Sequence, residues 1–461
     1  MVLCKEKVET NIAIGAKIAE TILKKGKLYE VGGAVRDRLL GIPHTQKDTD
    51  YLVTGISLAE LVALLKKFGY VDLVGRFFGV IKFTDRETGV TFDISLPRKE
   101  KSTGVGHKDF EVDFDPTLPV ETDLGRRDFT FNAMAFEVAN ERLIDPFGGQ
   151  ADIKAKLVRQ VFPQAFEEDP LRMLRAVQFA SRFNFEIETK TWEHLTASVK
   201  LIETVATERI AEELNKLILL SSKPSVGFNL MEKSGLLKIL LPELAEGVGV
   251  SQPGGYHRWE VFEHMLYVVD AVPPKLAVRW ASLLHDVAKP RTKVATGEGA
   301  TFYGHEKLGS KLTKQILRRL KYSNDFIDQV SLLVDKHMFT TQVTDKGLRR
   351  LIRKVGPELV FDLLDLRRAD VVGQGMGGKT DDVDELEDRI KAELEKKPPF
   401  SVKDLALTGH DIMENLQISA GPAVGKVLNY LLEQVLDDPA LNEKSALLKL
   451  AKDYYTGLEA K

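Results

Sequence analysis

The sequence predicts an α+β head followed by an all-α remainder. Between about 28 and 147, short β-type runs (LYEV, DYLVTG, GVIKF, VTFDISL, FTFNAMAFEV) alternate with helical segments such as SLAELVALLKKFG, the pattern of a sheet with helices packed on it. From about 150 onward the apolar spacing is helical almost throughout, as in PLRMLRAVQFASRF, TERIAEELNKLILL, VRWASLLHDVAK and GKVLNYLLEQVL. At 461 residues the chain exceeds one hydrophobic core, so about three or four domains are expected.

Composition marks the borders. A Gly, Pro and Ser loop, GVGVSQPGGYH (247–257), and the glycine and acid run VVGQGMGGKTDDVDE (371–385) read as boundaries, with PPFS (398–401) a weaker one. The expected division is a head over 1–150, a helical neck over 151–246, a third domain over 247–371 and a helical tail over 372–461. Neither a fixed-period repeat nor a long low-complexity segment interrupts it.

With a net charge of -3 no global positive field draws in nucleic acid, so any such binding relies on local basic stripes. Lys311, Lys314, Arg318, Arg319 and Lys321 form one; Arg349, Arg350, Arg353 and Lys354 form another. Taken alone, each reads as a solvated helix face. Cys4 is the only cysteine, which excludes a disulfide framework within the chain and fits a reducing compartment. The opening MVLCKEKVETN lacks the apolar core of a signal peptide, and no apolar run reaches the roughly 18 residues of a membrane span. A cytoplasmic protein with no membrane contact is expected.

The head carries the first chemistry, in LYEVGGAVRDRLLGIPHTQKDTDYLVTG (28–55). Val31 leads into Gly32 and Gly33, where the backbone can approach a polyphosphate, and the helix that follows offers free N–H groups and Arg36 to an anion. Asp48 and Asp50 then share one face of a strand. The pleat places their Cα atoms about 6.6 Å apart, suited to holding a pair of Mg²⁺ ions about 3.5 to 4 Å apart. Asp93, in the alternating run VTFDISLP (90–97), supplies a third carboxylate.

A second constellation begins in DLGRRDFTFNAMAF (123–136), where Arg126 and Arg127 suit phosphate oxygens. In FEEDPLRMLRAVQFASRFNF (166–185), Asp169, Arg172 and Arg175 recur every three residues and are expected on one helix face. A carboxylate beside a guanidinium can read a base edge: the aspartate accepts from the exocyclic amine of cytosine or adenine while the arginine donates to ring acceptors, each pairing worth about 1 to 3 kcal/mol. An isolated surface pair of this kind would contribute only about 0.2 to 0.5 kcal/mol.

Five successive segments between 28 and 220 resemble the bacterial-type (class II) tRNA nucleotidyltransferase and poly(A) polymerase family: EVGGAVRDRLLG with DTD, RRDFTFNA, DPFGGQADIKAKLVR, EEDPLRMLRAVQFA and ATERIAEELNKLI. The resemblance implies a nucleotidyltransferase head with Asp48 and Asp50 as catalytic Mg²⁺ ligands. Gly32, Gly33 and Arg36 would lie near the triphosphate, and Arg127, Asp128 and Asn132 would hold ribose and phosphates. Asp169 with Arg172 would form the amino-acid template for CTP and ATP, and Arg175 would help bind the triphosphate. One departure is visible, because Gln178, Phe179 and Ala180 stand where the family often reads RFA. The implied reaction is attack of the 3′ hydroxyl of a tRNA on the α-phosphorus of CTP or ATP, without a nucleic-acid template. Between Asp93 and Arg126 the chain resembles the flexible loop of CCA-adding and A-adding members, which disfavours CC-only addition.

Five of the nine histidines fall between 257 and 337. The order FEH, LLHD, GHE, DKH, with Asp370 in LRRAD, resembles the HD superfamily of metal-dependent phosphohydrolases. That implies His264, His285, Asp286 and Asp370 as ligands of a divalent transition metal ion, with His305 and His337 for a second metal or a substrate phosphate. His257 lies outside that set and reads as a loop residue. A phosphatase or 2′,3′-cyclic phosphodiesterase acting on RNA ends would follow. The tail segment 405–442 also resembles HD-containing enzymes of the family, and its Gly421–Pro422 turn and a helix start at Gly425–Lys426 would suit an RNA backbone.

Three functions therefore compete: full CCA addition, which leads; A addition beside a separate CC-adding protein; and an HD phosphohydrolase for which the head is a binding scaffold. Poly(A) polymerase is disfavoured by the mild acidity and the lack of a basic C-terminal extension.

Overall fold

The computed structural model describes residues 13–43, 49–74, 80–102, 110–255, 257–297, 299–396 and 398–459. They form two compact units, Met1–Leu217 with Val226–Ile239, and Ile218–Ser225 with Leu240–Lys461.

The first unit is built on a seven-stranded sheet. Its strands are β1 (Lys27–Val31), β2 (Asp50–Thr54), β3 (Gly69–Val74), β4 (Val80–Asp85), β5 (Thr91–Ser95), β8 (Ala135–Glu137) and β9 (Arg142–Ile144), in the spatial order β3-β4-β5-β2-β1-β8-β9. β2 and β5 run parallel and the other pairs antiparallel. Strand alternation divides the two faces. Tyr51, Val53, Phe92 and Ile94 enter a core shared with Ile18 and Ile22 of the Ala16–Leu23 helix and Leu61 and Leu65 of the Leu58–Leu65 helix. Leu52, Tyr29 and Val31 point the other way, onto Val120, Leu124 and Ala133. Asp50 and Asp93 therefore belong to that second face.

Two expectations are corrected here. The segment from Asp93 to Arg126, read as a long flexible loop, contains an antiparallel hairpin, β6 (Arg98–Ser102) with β7 (Phe110–Phe114); FEVDF alternates as a strand does. FTFNAMAFEV is not one β run, since Thr130–Asn132 forms a 3-10 turn before β8.

A third correction concerns the template segment. The helix runs Leu171–Phe183, and Asp169 precedes it with φ -137° and ψ 96°. The proline at 170 disfavours helical geometry for the residue before it, so Asp169 leaves the helix face that Arg172 and Arg175 occupy.

The second unit is helical apart from a small hairpin, Val294–Thr296 with Gly299–Thr301. Helices Val261–Ala271, Leu276–Leu284, His305–Arg319, Asn324–Lys336 and Leu359–Gly373 carry the histidine and aspartate set. The tail helices Gly409–Leu416, Pro422–Asp437 and Lys444–Glu459 close over Ile412, Val427, Leu431 and Leu447. Gly425 and Lys426 lie inside the helix, not at its start, because Pro422 already occupies the first helical turn.

The basic stripes are largely paired within this unit. Lys314 meets Asp328, Arg319 meets Glu243, and Arg350 and Arg353 both meet Glu433. Buried Arg349 meets Glu393 and the carbonyl of Leu436. Among the described residues no helix is long and apolar enough to cross a membrane.

Candidate active site and metal centre

Asp50 and Asp93 are direct partners in the parallel β2–β5 register, so their side chains leave the sheet on the same face, one strand spacing apart, about 4.8 Å. Asp48 lies outside the described residues. On the other side of β2, Val31 pairs with Asp50 and hands the chain to Gly32. That glycine has φ 71°, and a Cβ there would stand 2.6 Å from an Arg127 guanidinium nitrogen and 3.9 Å from Asp50 Oδ2. Only glycine admits both the backbone angle and the guanidinium. Gly33 opens the Gly33–Leu40 helix, whose first N–H groups have no partner within the helix.

Arg36 is drawn inward. Its guanidinium donates to Asn132 Oδ1 at 2.7 Å and to Asp37 Oδ1 at 2.7 Å, and lies 5.2 and 5.0 Å from the ring centres of Phe179 and Phe183. It braces this helix against the template helix. Asn132 in turn donates to Asp128 Oδ1 at 3.0 Å, and Arg175 donates to Asp128 Oδ2 from Nε at 2.8 Å. Burial by itself would raise the Asp128 pKa; Arg175, the Asn132 hydrogen bond and Arg172 outweigh it and hold the carboxyl below its ordinary value. Asp123, fully buried, is likewise held low against its burial by Arg127 and Arg126. This carboxylate, absent from the expected site, orients both arginines: Arg126 donates to it at 2.9 and 2.6 Å and Arg127 at 3.3 Å.

At the expected template pair, Arg172 donates to the carbonyls of Arg126 at 2.8 Å and Ala165 at 3.2 Å, which fixes the plane of its guanidinium. Asp169 accepts from Arg209 at 2.9 and 3.4 Å. Arg209 was not among the expected residues, although it lies in the ATERIAEEL segment that carries the resemblance. Glu213 of that same segment meets Arg175 at 3.4 Å.

In the second unit the expected ligands converge. His264 Nε2 lies 3.2 Å from His285 Nε2, 3.2 Å from Asp370 Oδ1 and 3.4 Å from Asp286 Oδ2. The other Asp286 oxygen faces His305 Nε2 at 3.3 Å and His337 Nε2 at 3.8 Å. These spacings match the chemistry of a metal site: nitrogen or oxygen donors at about 2.0 to 2.2 Å from one ion stand roughly 3.0 to 3.5 Å apart. Three of the imidazoles are also locked for it. The Nδ1 atoms of His285, His305 and His337 each bond a backbone carbonyl, of Ser282, Phe302 and Val334, at 2.7 to 2.8 Å, which turns Nε2 toward the cluster. Asp286 is held well below the usual carboxylate range, since His285 and Lys289 overcome its burial. Burial and the neighbouring His285 push His337 down to about 3, so its imidazole is neutral at pH 7. Lys289, three residues beyond Asp286, reaches it at 2.6 Å. A cavity of about 550 Å³ opens here, lined in part by Lys289, Phe302, Tyr303, Met338 and Arg367.

The chain is also similar to known proteins. The family model of the poly A polymerase head domain matches residues 28–159, that of the RNA and SrmB-binding site of polymerase A matches 184–247, and that of tRNA nucleotidyltransferase domain 2 matches 302–451. An A-adding tRNA nucleotidyltransferase of Deinococcus radiodurans is 34% identical over 87% of this chain and 90% of its own length. A multifunctional CCA protein of Methylobacillus flagellatus is 39% identical over 68% of this chain and 73% of its own. The fold is that of the Bacillus stearothermophilus CCA-adding enzyme solved with CTP, with a TM-score of 0.72 and 24% identity over 96% of this chain and 97% of that one. The chain is an enzyme, and it belongs to the tRNA nucleotidyltransferase and poly(A) polymerase family.

Proposed function

We propose that this protein builds or repairs the 3′-terminal CCA of tRNA from CTP and ATP, releasing pyrophosphate. The single observation that carries the catalytic assignment is the register that sets Asp50 beside Asp93 next to the Gly32 turn. Asp48 and Asp50, with Asp93, are the oxygen donors that Mg²⁺ prefers. Bound there, Mg²⁺ supplies a more acidic 3′ hydroxyl and charge neutralisation on the leaving pyrophosphate. The Gly33 helix start and Arg127 receive phosphate oxygens. Asp123, Asp128, Asn132 and Arg36 hold those groups in place. Asp169 accepts from the exocyclic amine that cytosine and adenine share, and Arg172, its plane fixed by two carbonyls, donates to the ring acceptors beside it.

A addition alone is a second reading, supported by the Deinococcus relative that aligns with 87% of the chain. Purified protein incubated with tRNA lacking one, two or three terminal nucleotides and with each NTP separates the two. Addition to all three ends supports the first reading; labelled A added only to a CC end overturns it. The protein works where tRNA is processed, in the cytoplasm.

We further infer an HD-type metal centre in the domain over 247–371, with His264, His285, Asp286 Oδ2 and Asp370 as donors to one transition metal ion. His305, His337 and Asp286 Oδ1 face a second position. Convergence of their ligand atoms supports this, and phosphate esters at RNA ends are the substrate class. The tail over 372–461 and the neck over 151–246 are each read as tRNA-binding segments.

A further inference from the structure

His257 belongs to no part of the expected ligand set, yet its ring stands 4.7 Å from that of His264 at 83°. One ring nitrogen of His257 and ligand atoms of His264 and Asp370 all lie within 4.8 Å of one another. Two donors on opposite sides of one ion are about 4.2 Å apart and neighbouring donors about 3.0 Å, so a side-chain shift of about 0.6 Å at most brings His257 within the span of a shared ion. The loop that carries it is tied down, because the Arg258 N–H donates to the carbonyl of Gln374 at 2.9 Å, just beyond the Leu359–Gly373 helix that bears Asp370.

We propose that His257 is a fifth protein donor to the ion held by His264, His285, Asp286 and Asp370. The proposal rests on reading that cluster as a metal centre. It makes the two donor sets unequal: five donors gather at the first position, against His305, His337 and one Asp286 oxygen at the second. A crowded first ion anchors the site. The second position keeps places for water and a substrate phosphate, and Tyr303 and Met338, each close in sequence to one of its histidines, line the cavity.

A purely packing role is the rival, since the His264 Nδ1 has no hydrogen-bond partner and the His257 ring could serve only to hold that imidazole. His257→Phe separates the two, because it keeps the ring and removes the donor. Metal-stripped full-length wild type, His257→Phe, His257→Ala and His264→Ala are titrated with Co²⁺ in excess Mg²⁺, which fills the oxygen-rich head carboxylates without competing for imidazole. Affinity and the visible bands of bound Co²⁺ are read, and metal-free melting curves report the fold. Both His257 variants are expected to bind the tighter Co²⁺ about 10- to 100-fold more weakly, with shifted bands and unchanged metal-free melting. Wild-type affinity and bands in His257→Phe overturn the proposal while leaving the metal centre standing. No histidine-bound Co²⁺ in wild type, with His264→Ala indistinguishable from it, overturns both. If His257→Ala fails to fold, the Phe variant alone decides.

Discussion

The Arg172 guanidinium is fixed by two carbonyls from different segments, Arg126 and Ala165. Its remaining N–H groups therefore point in a set direction before any base arrives, which is what selective donation to ring acceptors requires. Arg172→Ala should lose about 1 to 3 kcal/mol of discrimination, read as a roughly 5- to 150-fold fall in the ratio of CTP to UTP incorporation. Arg172→Lys should not rescue it, because one ammonium cannot keep that plane; a lysine variant with wild-type selectivity would remove Arg172 from base reading. Asp50 differs in kind, since its proposed partner is the catalytic metal ion and not a base. Asp50→Ala should cost several kcal/mol of transition-state stabilisation, about 10³-fold or more in nucleotide addition, with melting unchanged. Incorporation near the wild-type rate would end the assignment.

The sheet and the template helix are joined by a chain of charged contacts. Arg175 meets Asp128, Asp128 meets Asn132, Asn132 meets Arg36, and Arg36 rests on Phe179 and Phe183 of the helix that carries Arg175. The native Asp128 pKa lies below the ordinary 3.8. Around pH 4 the unfolded chain therefore binds more protons at this group than the native one. Its contribution is whole above about pH 4 and is lost as pH falls through the native value. Asp128→Asn should flatten the acid limb of the melting profile and lower stability near neutrality by about 1 to 3 kcal/mol, because Arg175 then keeps only the more distant Glu213 as a charge partner. An acid limb unchanged by the substitution would show that the link is idle. Elements of this kind were legible in part. Alternation around Asp93 and the apolar run after Asp50 placed these two carboxylates on strands, whereas Asp48 lies outside the described residues and the strand begins only at Asp50; the parallel β2–β5 register that sets Asp93 against Asp50 joins strands about 40 residues apart, and no local pattern encodes such pairing. Asp169 left its predicted helix face through proline geometry, which is local and could have been read. The Arg209 contact and the His257 approach depend on tertiary packing, so neither is visible in residue spacing.

At the scale of the whole chain, the carboxylates of the head and the histidines of the proposed metal centre lie in different compact units, with different donor chemistry. Oxygen-only donors select Mg²⁺, whereas imidazole with carboxylate selects transition metals. A chelator should therefore remove both activities, and replacement should restore them separately. Mg²⁺ should return nucleotide addition, and Co²⁺ or Ni²⁺ should return hydrolysis of a 2′,3′-cyclic phosphate. Asp50→Ala should lose addition and keep hydrolysis; His285→Ala, which also removes the bond to the Ser282 carbonyl, should do the reverse. Heating should follow the same division, since an ion bound only by the native second unit raises that unit's melting point by mass action and leaves the first unit's unchanged. Hydrolysis that persisted in His285→Ala would place that chemistry elsewhere. A His285→Ala protein that melted normally but no longer added nucleotides would show that the two sites act as one.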